Sequence, residues 1–223
     1  MRSPVRSALI RWRPEHLHRL AHPEAAVGPG SVSPGRARHG LRALLEAMDV
    51  PAFVLSTCMD VVAANGLADA VLAVPPGSAS RNAAKQVFLD PAARALYPDW
   101  AKVAGDTVAH LRLMTGRHPH DRALFALIGE LTIGSDDFVR LWSRQEVMVK
   151  SHGTKLLAHP SAGRLGFAYE TFVLPEDLDQ ILVTYTPTDP ETHAALSVLA
   201  LGDRAAVHAS APAAALPTVR VAE

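Results

Sequence analysis

Apolar residues first recur at helical spacing in the segment before position 50. Four of them fall at positions i, i+3, i+4 and i+7, so they share one face of a helix. They are Leu41, Leu44, Leu45 and Met48. The pattern predicts an amphipathic helix over residues 37–48, and Pro51 ends it because proline cannot continue a helical hydrogen-bond ladder.

Runs of β-branched, aromatic and alternating residues predict strands in two parts of the chain. Two short strands lie early, at 52–57 and 60–64, and three lie late, at 154–158, 164–173 and 180–186. In the longest of these, alternate residues share one face because successive side chains of a strand point to opposite sides. These residues are Leu165, Phe167, Tyr169, Thr171 and Val173.

Helical periodicity and cap residues predict a series of helices in the middle of the chain. Asp99 caps the longest predicted helix, which is expected to run to residue 115 and to stop at Gly116. Its apolar stripe consists of Trp100, Val103, Ala104, Val108, Leu111 and Met114. Shorter helices are predicted at 67–73 after the cap residue Asn65, at 82–89 and 91–96, after Asp121, after Ser135, and at 189–201.

This order of elements indicates the fold class. Two early strands, a block of helices and three late strands favour an α+β fold over repeated βαβ units. We expect one antiparallel sheet of about five strands with helices packed on one face. An apolar cavity between the helices and the sheet is the expected ligand site in such a layout.

Composition suggests how the chain is divided. Glycine and proline cluster at 28–35, which is typical of a linker, and the end of the chain is rich in alanine and proline. We therefore expect a first segment at 1–35, one domain at 36–203 and a disordered tail at 204–223.

Charge and cysteine content narrow the function classes. The 223 residues carry no formal net charge, which does not favour a polyanionic partner, and 48% of them are apolar, enough to bury a core. The single cysteine, Cys58, excludes an intramolecular disulfide and favours a reducing compartment. Charged and polar residues interrupt the longest apolar stretch, 50–74, so we expect a cytoplasmic protein with no membrane partner.

The sequence offers little for catalysis or metal binding. His16 and His18 would point to different faces of a helix, whereas His118 and His120 flank a proline in a predicted loop. Cys58 has no histidine near it in sequence, and no nucleophile elbow, P-loop or zinc motif is present. We therefore predict no catalytic residue, no metal site and no cofactor.

The aromatic residues of the helices leave two interpretations open. Trp100, Phe138 and Trp142 can pack in the core, as the apolar face of any amphipathic helix does, or they can line a ligand cavity. The pattern alone does not separate these alternatives.

A series of short motifs resembles one known family. In chain order they are PAFVL at 51–55, DVVAAN at 60–65, Asn82, FLDP at 88–91, Arg94, LYPDW at 96–100, HLR at 110–112, GRHP at 116–119, GEL at 129–131, Ser135, Phe138, LW at 141–142, Lys155, HP at 159–160, Gly163 and the stretch 180–187. Their order and spacing over 38–201 are similar to those of the ligand-binding domain of MmyB-like transcription regulators.

The resemblance implies a PAS-like sensing domain that binds a fatty-acid-like small molecule. On this interpretation the candidate ligand-contacting residues are Phe53, Trp100, Val108, Leu111, Arg112, Phe138, Trp142 and Phe167. Arg112 is the candidate partner for a carboxylate head group, because a buried charge without a partner is too costly.

The sequence departs from the family pattern in two places. These regulators begin with a helix-turn-helix, whereas here only 16–21 resembles the last helix of that domain, so 1–35 is interpreted as its remnant followed by the linker. We therefore expect DNA contact only through a helix-turn-helix domain that is missing or truncated here. The second departure is Gln145, which stands where the family often has a histidine.

Three functional hypotheses remain. The first is a ligand-sensing effector domain of a bacterial transcription regulator. The second is an interaction or homodimerisation module without a ligand, and the third is an enzyme that uses the same cavity. The missing acid, base and nucleophile argue against the third.

Overall fold

The computed structural model describes residues 37–73, 81–144, 151–175 and 177–210, with no side-chain description for 178 and 202–210. These residues form eight helices and five strands. The helices are α1 (His39–Glu46), α2 (Gly66–Val71), α3 (Ala83–Leu89), α4 (Ala93–Leu96), α5 (Trp100–Arg117), α6 (Arg122–Gly134), α7 (Asp136–Ser143) and α8 (Pro190–Ser210). The strands are β1 (Ala52–Ser56), β2 (Val61–Ala64), β3 (His152–His159), β4 (Gly163–Leu174) and β5 (Asp177–Pro187).

The strands form one antiparallel sheet in the order β2-β1-β5-β4-β3. The late strand β5 lies at the centre, between β1 and β4, and joins the two groups of strands that the sequence separates. Phe53 of β1 is opposite Val183 of β5, and Tyr169 of β4 is opposite Tyr185 of β5. This arrangement confirms the expected α+β fold with a five-stranded PAS-like sheet.

The inner face of the sheet carries most of the core. Phe53, Leu165, Phe167 and Val183 point to this face, where helices α2 to α8 contribute buried residues such as Leu111. Burying a large apolar side chain contributes about 1.5–3 kcal/mol, so this face supplies most of the hydrophobic stabilisation.

The outer face of β1 is covered as well. Ala52 and Val54 alternate with Phe53 and are fully buried against α1, which contributes Leu41 and Leu45 to a second, smaller cluster. The sequence predicts helices on one face of the sheet, whereas in the structure α1 also covers part of the other face. The reason is that β1 is apolar on both faces, so both need cover.

The helix α5 and the last helix both extend beyond their predicted ends. Gly116 lies inside α5, which continues to Arg117 and has His118 at its C-terminal cap, because the His118 N–H donates to the Met114 carbonyl. The last helix continues past Leu201 to Ser210, so the beginning of the segment predicted as a tail is helical. Residues 1–36 and 211–223, including the segment 16–21, lie outside the described residues.

Asn65 connects α1, β1 and α2 with a single side chain. Its Oδ1 accepts hydrogen bonds from the N–H of Ala68, 2.9 Å away at the start of α2, and of Ala52, 3.1 Å away at the start of β1. Its Nδ2 donates to the carbonyls of Val50 at 2.8 Å and of Leu45, at the end of α1, at 3.2 Å. Only 6% of Asn65 is exposed, so these groups have little access to water.

We predict that Asn65→Asp lowers the free energy of unfolding by at least about 3 kcal/mol. The aspartate side chain can still accept hydrogen bonds but can no longer donate them. The carbonyls of Leu45 and Val50 therefore lose their partner, and each unsatisfied buried group costs about 1–3 kcal/mol. Urea unfolding followed by circular dichroism measures the change.

Ser135→Ala is the matched control, because Ser135 caps α7 through one hydrogen bond to the Phe138 N–H. Loss of such a cap costs about 1 kcal/mol. Equal losses in the two variants would show that Asn65 acts only as a helix cap.

Candidate functional site

A cavity of about 540 Å³ lies between the inner face of the sheet and the helices α3 and α5. The volume is within the range of about 300–1,000 Å³ that is usual for small-molecule sites. Its apolar walls come from both layers. They include Phe53, Leu55, Met59, Val61, Leu72, Val87, Leu89, Val103, Ile181 and Val183.

Helix α5 contributes polar residues to the same cavity. Asp106, Thr107 and His110 follow Val103 along the face of α5 that looks toward the sheet. Burial lowers the pKa of His110, and Arg117 adds to the effect, so the imidazole is neutral at pH 7. Its Nε2 is buried without a hydrogen-bond partner among the described residues.

A lysine and three tyrosines form a cluster in the lining of the cavity. Lys155 Nζ lies 5.8 Å from the ring centroid of Tyr97 and 5.6 Å from those of Tyr169 and Tyr185. All four residues line the cavity. An ammonium group at this distance is attracted to the electron-rich faces of aromatic rings.

The three phenols remain protonated at neutral pH. Burial raises the pKa of Tyr97 to about 12, although the nearby Lys155 opposes the shift. Burial also raises the pKa of Tyr185 and of Tyr169, and the Asp106 carboxylate raises that of Tyr169 further. Each hydroxyl can therefore donate a hydrogen bond into the cavity.

Of the residues that the sequence predicts to contact a ligand, Phe53 lines this cavity and the other seven do not. Trp100, Phe138 and Trp142 belong instead to an aromatic cluster between helices. Phe138 stacks on Trp142 with 5.4 Å between centroids, and Phe88 contacts both Phe138 and Trp100 edge to face. For these rings the structure favours core packing.

The remaining predicted residues pack in or near the core. Val108 and Leu111 are buried on α5, and Phe167 stacks on Tyr185 with 5.5 Å between centroids. Arg112 was expected at the cavity mouth, but its guanidinium lies 4.8 Å from the ring centroid of Trp142. Other residues of the same helix, among them Val103, Asp106 and His110, line the cavity. Contact of these residues with a ligand stays a prediction.

Sequence reasoning missed the polar residues of the cavity, although weak signals for them were present. Lys155 and Tyr97 lie within the matching motifs, and Tyr169 shares the predicted strand face with Phe167. A search restricted to apolar helix faces passes over Asp106 and His110.

The groups weighed for metal binding and nucleophilic catalysis lie in different environments. Within the parts of the chain described, no three His, Cys, Asp or Glu side chains are close enough to hold a metal ion. His118 Nε2 lies 3.4 Å from an Asp179 carboxylate oxygen. Burial raises the pKa of Cys58 to about 11, and Asp121 and Asp60 add to the effect. His16, His18 and Gln145 are outside the described residues.

The fold is of the α+β class, and its cavity has a size that is usual for small-molecule sites. A family model for the MmyB-like transcription regulator ligand binding domain matches residues 37–199 of this 223-residue chain. The chain therefore belongs to this family. No curated protein matches its sequence significantly. Among the described helices, none is long and apolar enough to cross a membrane.

We predict that Phe138→Ala lowers the free energy of unfolding by about 3–5 kcal/mol. Phe138 is fully buried between Phe88 and Trp142, so removing its ring leaves a cavity that the neighbours fill only in part. Ile133→Ala is the control, because 91% of Ile133 is exposed and its loss should change stability by less than about 0.5 kcal/mol. Similar urea midpoints for the two variants would place Phe138 outside the core.

We predict that Cys58 is alkylated slowly at pH 8. A pKa of about 11 in place of 9.0 lowers the thiolate fraction about 100-fold, and the thiolate is the reactive form. Iodoacetamide labelling followed by mass spectrometry measures the rate, with the urea-unfolded chain as reference. Equal rates for folded and unfolded protein would contradict the burial of the thiol.

Proposed function

We propose that the domain senses an elongated, fatty-acid-like molecule bound in the cavity between the sheet and helices α3 and α5. The observation that carries the proposal is the cavity itself, a space of about 540 Å³ with apolar walls in a member of a ligand-binding-domain family. No chemical step is involved, so the domain acts by binding.

The apolar walls account for the preference for an alkyl chain. Leu55, Ile181 and Val183 of the sheet face Val87 and Val103 of the helices across the cavity. Each methylene transferred from water to such walls contributes about 0.8 kcal/mol. Affinity should therefore rise with chain length until the cavity is full.

The family context gives this binding event its role. Regulators of this type contact DNA through a helix-turn-helix domain, and the ligand-binding domain controls that contact. We take residues 36–203 as the extent of the sensing domain and the cytoplasm as its location, because the DNA is there. We also propose that the protein forms a homodimer, since symmetric dimers are the commonest oligomers.

We predict that saturated fatty acids raise the melting temperature of delipidated protein in order of increasing length. A series from hexanoate to octadecanoate is measured by differential scanning fluorimetry. Each added methylene should strengthen binding about fourfold until the cavity is full. At a concentration about 100 times the dissociation constant, the expected stabilisation is about 2.7 kcal/mol.

A pair of variants tests the location of the ligand. Ala83→Phe places a ring at the cavity wall and should reduce the longest chain that binds, whereas Ala101→Phe adds the same ring at an exposed position of α5 and should not. If no chain length raises the melting temperature and native mass spectrometry finds no bound lipid, the proposal fails. The interaction-module hypothesis would then be preferred.

A further inference from the structure

We propose that Lys155 and the hydroxyls of Tyr97, Tyr169 and Tyr185 form a site for an anionic head group, a carboxylate or a phosphate. The inference rests on the proposed function and adds which part of a ligand this cluster recognises. It replaces Arg112, the residue expected from sequence, with a different cation on a different element.

The register of the sheet brings most of this site together. Lys155 of β3 is opposite Phe167 of β4, so Tyr169, two residues further along β4, is its diagonal neighbour on the same face. Tyr185 of β5 is directly opposite Tyr169. The fourth residue, Tyr97, comes from the segment between α4 and α5 and approaches from the helix layer.

A glycine makes room for one of the phenols. Gly153 is opposite Tyr169 on the neighbouring strand, and a Cβ at that position would lie only 3.1 Å from the Tyr169 hydroxyl oxygen and from its Cε1. Any side chain there would press on the end of the ring. The absence of a side chain at Gly153 lets the phenol lie beside its neighbouring strand.

The polar atoms of this site are available for a ligand. Over the described ranges, no protein group forms a hydrogen bond or ion pair with Lys155 Nζ or with any of the three hydroxyls. The three tyrosines are nevertheless at most 9% exposed. Donors on largely buried side chains are satisfied by water or by a ligand, because a buried polar group without a partner is costly.

The other cations that line the cavity are already neutralised. Arg81 forms an ion pair with Asp69, and Lys85 Nζ lies 2.7 Å from a Glu130 carboxylate oxygen. Asp106 also lines the cavity but lies beyond ion-pair distance from Lys155 in the part of the chain described. Of the three lysine and arginine side chains that line the cavity, Lys155 is therefore the one without a carboxylate partner among the described residues.

The four groups all offer donors to the cavity. An ammonium carries three donors and each neutral phenol carries one, whereas a carboxylate has about four acceptor positions. Hydrogen bonds between charged partners are about twice as strong as neutral ones, so an anion gains more here than an alcohol does. A phosphate has the same kind of acceptor oxygens, so the structure assigns an anionic head group and experiment must separate the two sources.

The test compares head groups on one chain length. Isothermal titration of the delipidated protein uses dodecanoate, dodecanol and dodecyl phosphate. The parent protein should bind dodecanoate or dodecyl phosphate at least about 10-fold more tightly than dodecanol. The tighter of the two anions identifies the source of the head group.

Variants assign that preference to residues. Lys155→Met should remove the preference for the anion and leave dodecanol affinity within about threefold, and Lys155→Arg should restore part of it. Tyr97→Phe, which keeps the ring and removes only the hydroxyl, should reduce the preference about 3- to 10-fold and tests the site even if Lys155→Met does not fold. Asp106→Asn should strengthen anion binding, because a like charge is removed. Arg112→Gln should have no effect.

The outcomes separate this inference from the proposed function. If the alcohol and both anions bind equally while affinity still rises with chain length, the head-group site is wrong and the lipid-sensing proposal stands. If the preference disappears in Arg112→Gln and persists in Lys155→Met, the head group lies at Arg112. If no dodecyl compound and no fatty acid of any length binds, the proposed function itself fails.

Discussion

The structure depends on how one buried amide, Asn65, is satisfied. Its oxygen accepts from backbone N–H groups at the start of β1 and in the first turn of α2, and its nitrogen donates to carbonyls at and after the end of α1. A helix end and a strand start both leave backbone groups without partners, and in a buried corner each needs one. A single side chain with both donor and acceptor capacity meets these needs together. These hydrogen bonds hold α1 on the outer face of the sheet. They also hold α2, which is followed by the cavity residue Leu72.

A second constraint concerns the space between the sheet and the helices, which the side chains of the two layers do not fill completely. The aromatic cluster of Phe88, Phe138 and Trp142 packs α3 and α7 together and leaves space between α3 and β5. Protein interiors are normally close-packed, so the apolar walls of a cavity of about 540 Å³ lack contacts that a bound ligand can supply. Apolar walls together with polar groups such as Lys155 match an amphiphile. The volume of the cavity and its combination of apolar and polar lining residues are the reasons to regard it as a binding site.

Sequence reasoning reached the fold and only part of the site, for identifiable reasons. Strand alternation and cap residues such as Asp99 are local signals, so the five strands and most helix starts were predicted correctly. The apolar stripe of α5 is broad, however, and sequence does not say which side of it meets other helices and which meets the cavity. The structure places Leu111 in the helix core and turns His110 toward the cavity. Lys155 and Tyr185 are far apart in sequence and meet only through the pairing of β3, β4 and β5.

The two faces of β1 connect the cavity with α1. Phe53 and Leu55 line the cavity, whereas Ala52 and Val54, which alternate with them, are buried against α1 on the other face. Successive side chains of a strand share one backbone, so β1 cannot move at the cavity without moving at α1. A close-packed contact such as that of Val54, which is fully buried, transmits such a displacement rather than absorbing it. The helix that begins at His39 is therefore packed on the opposite face of a strand that lines the cavity.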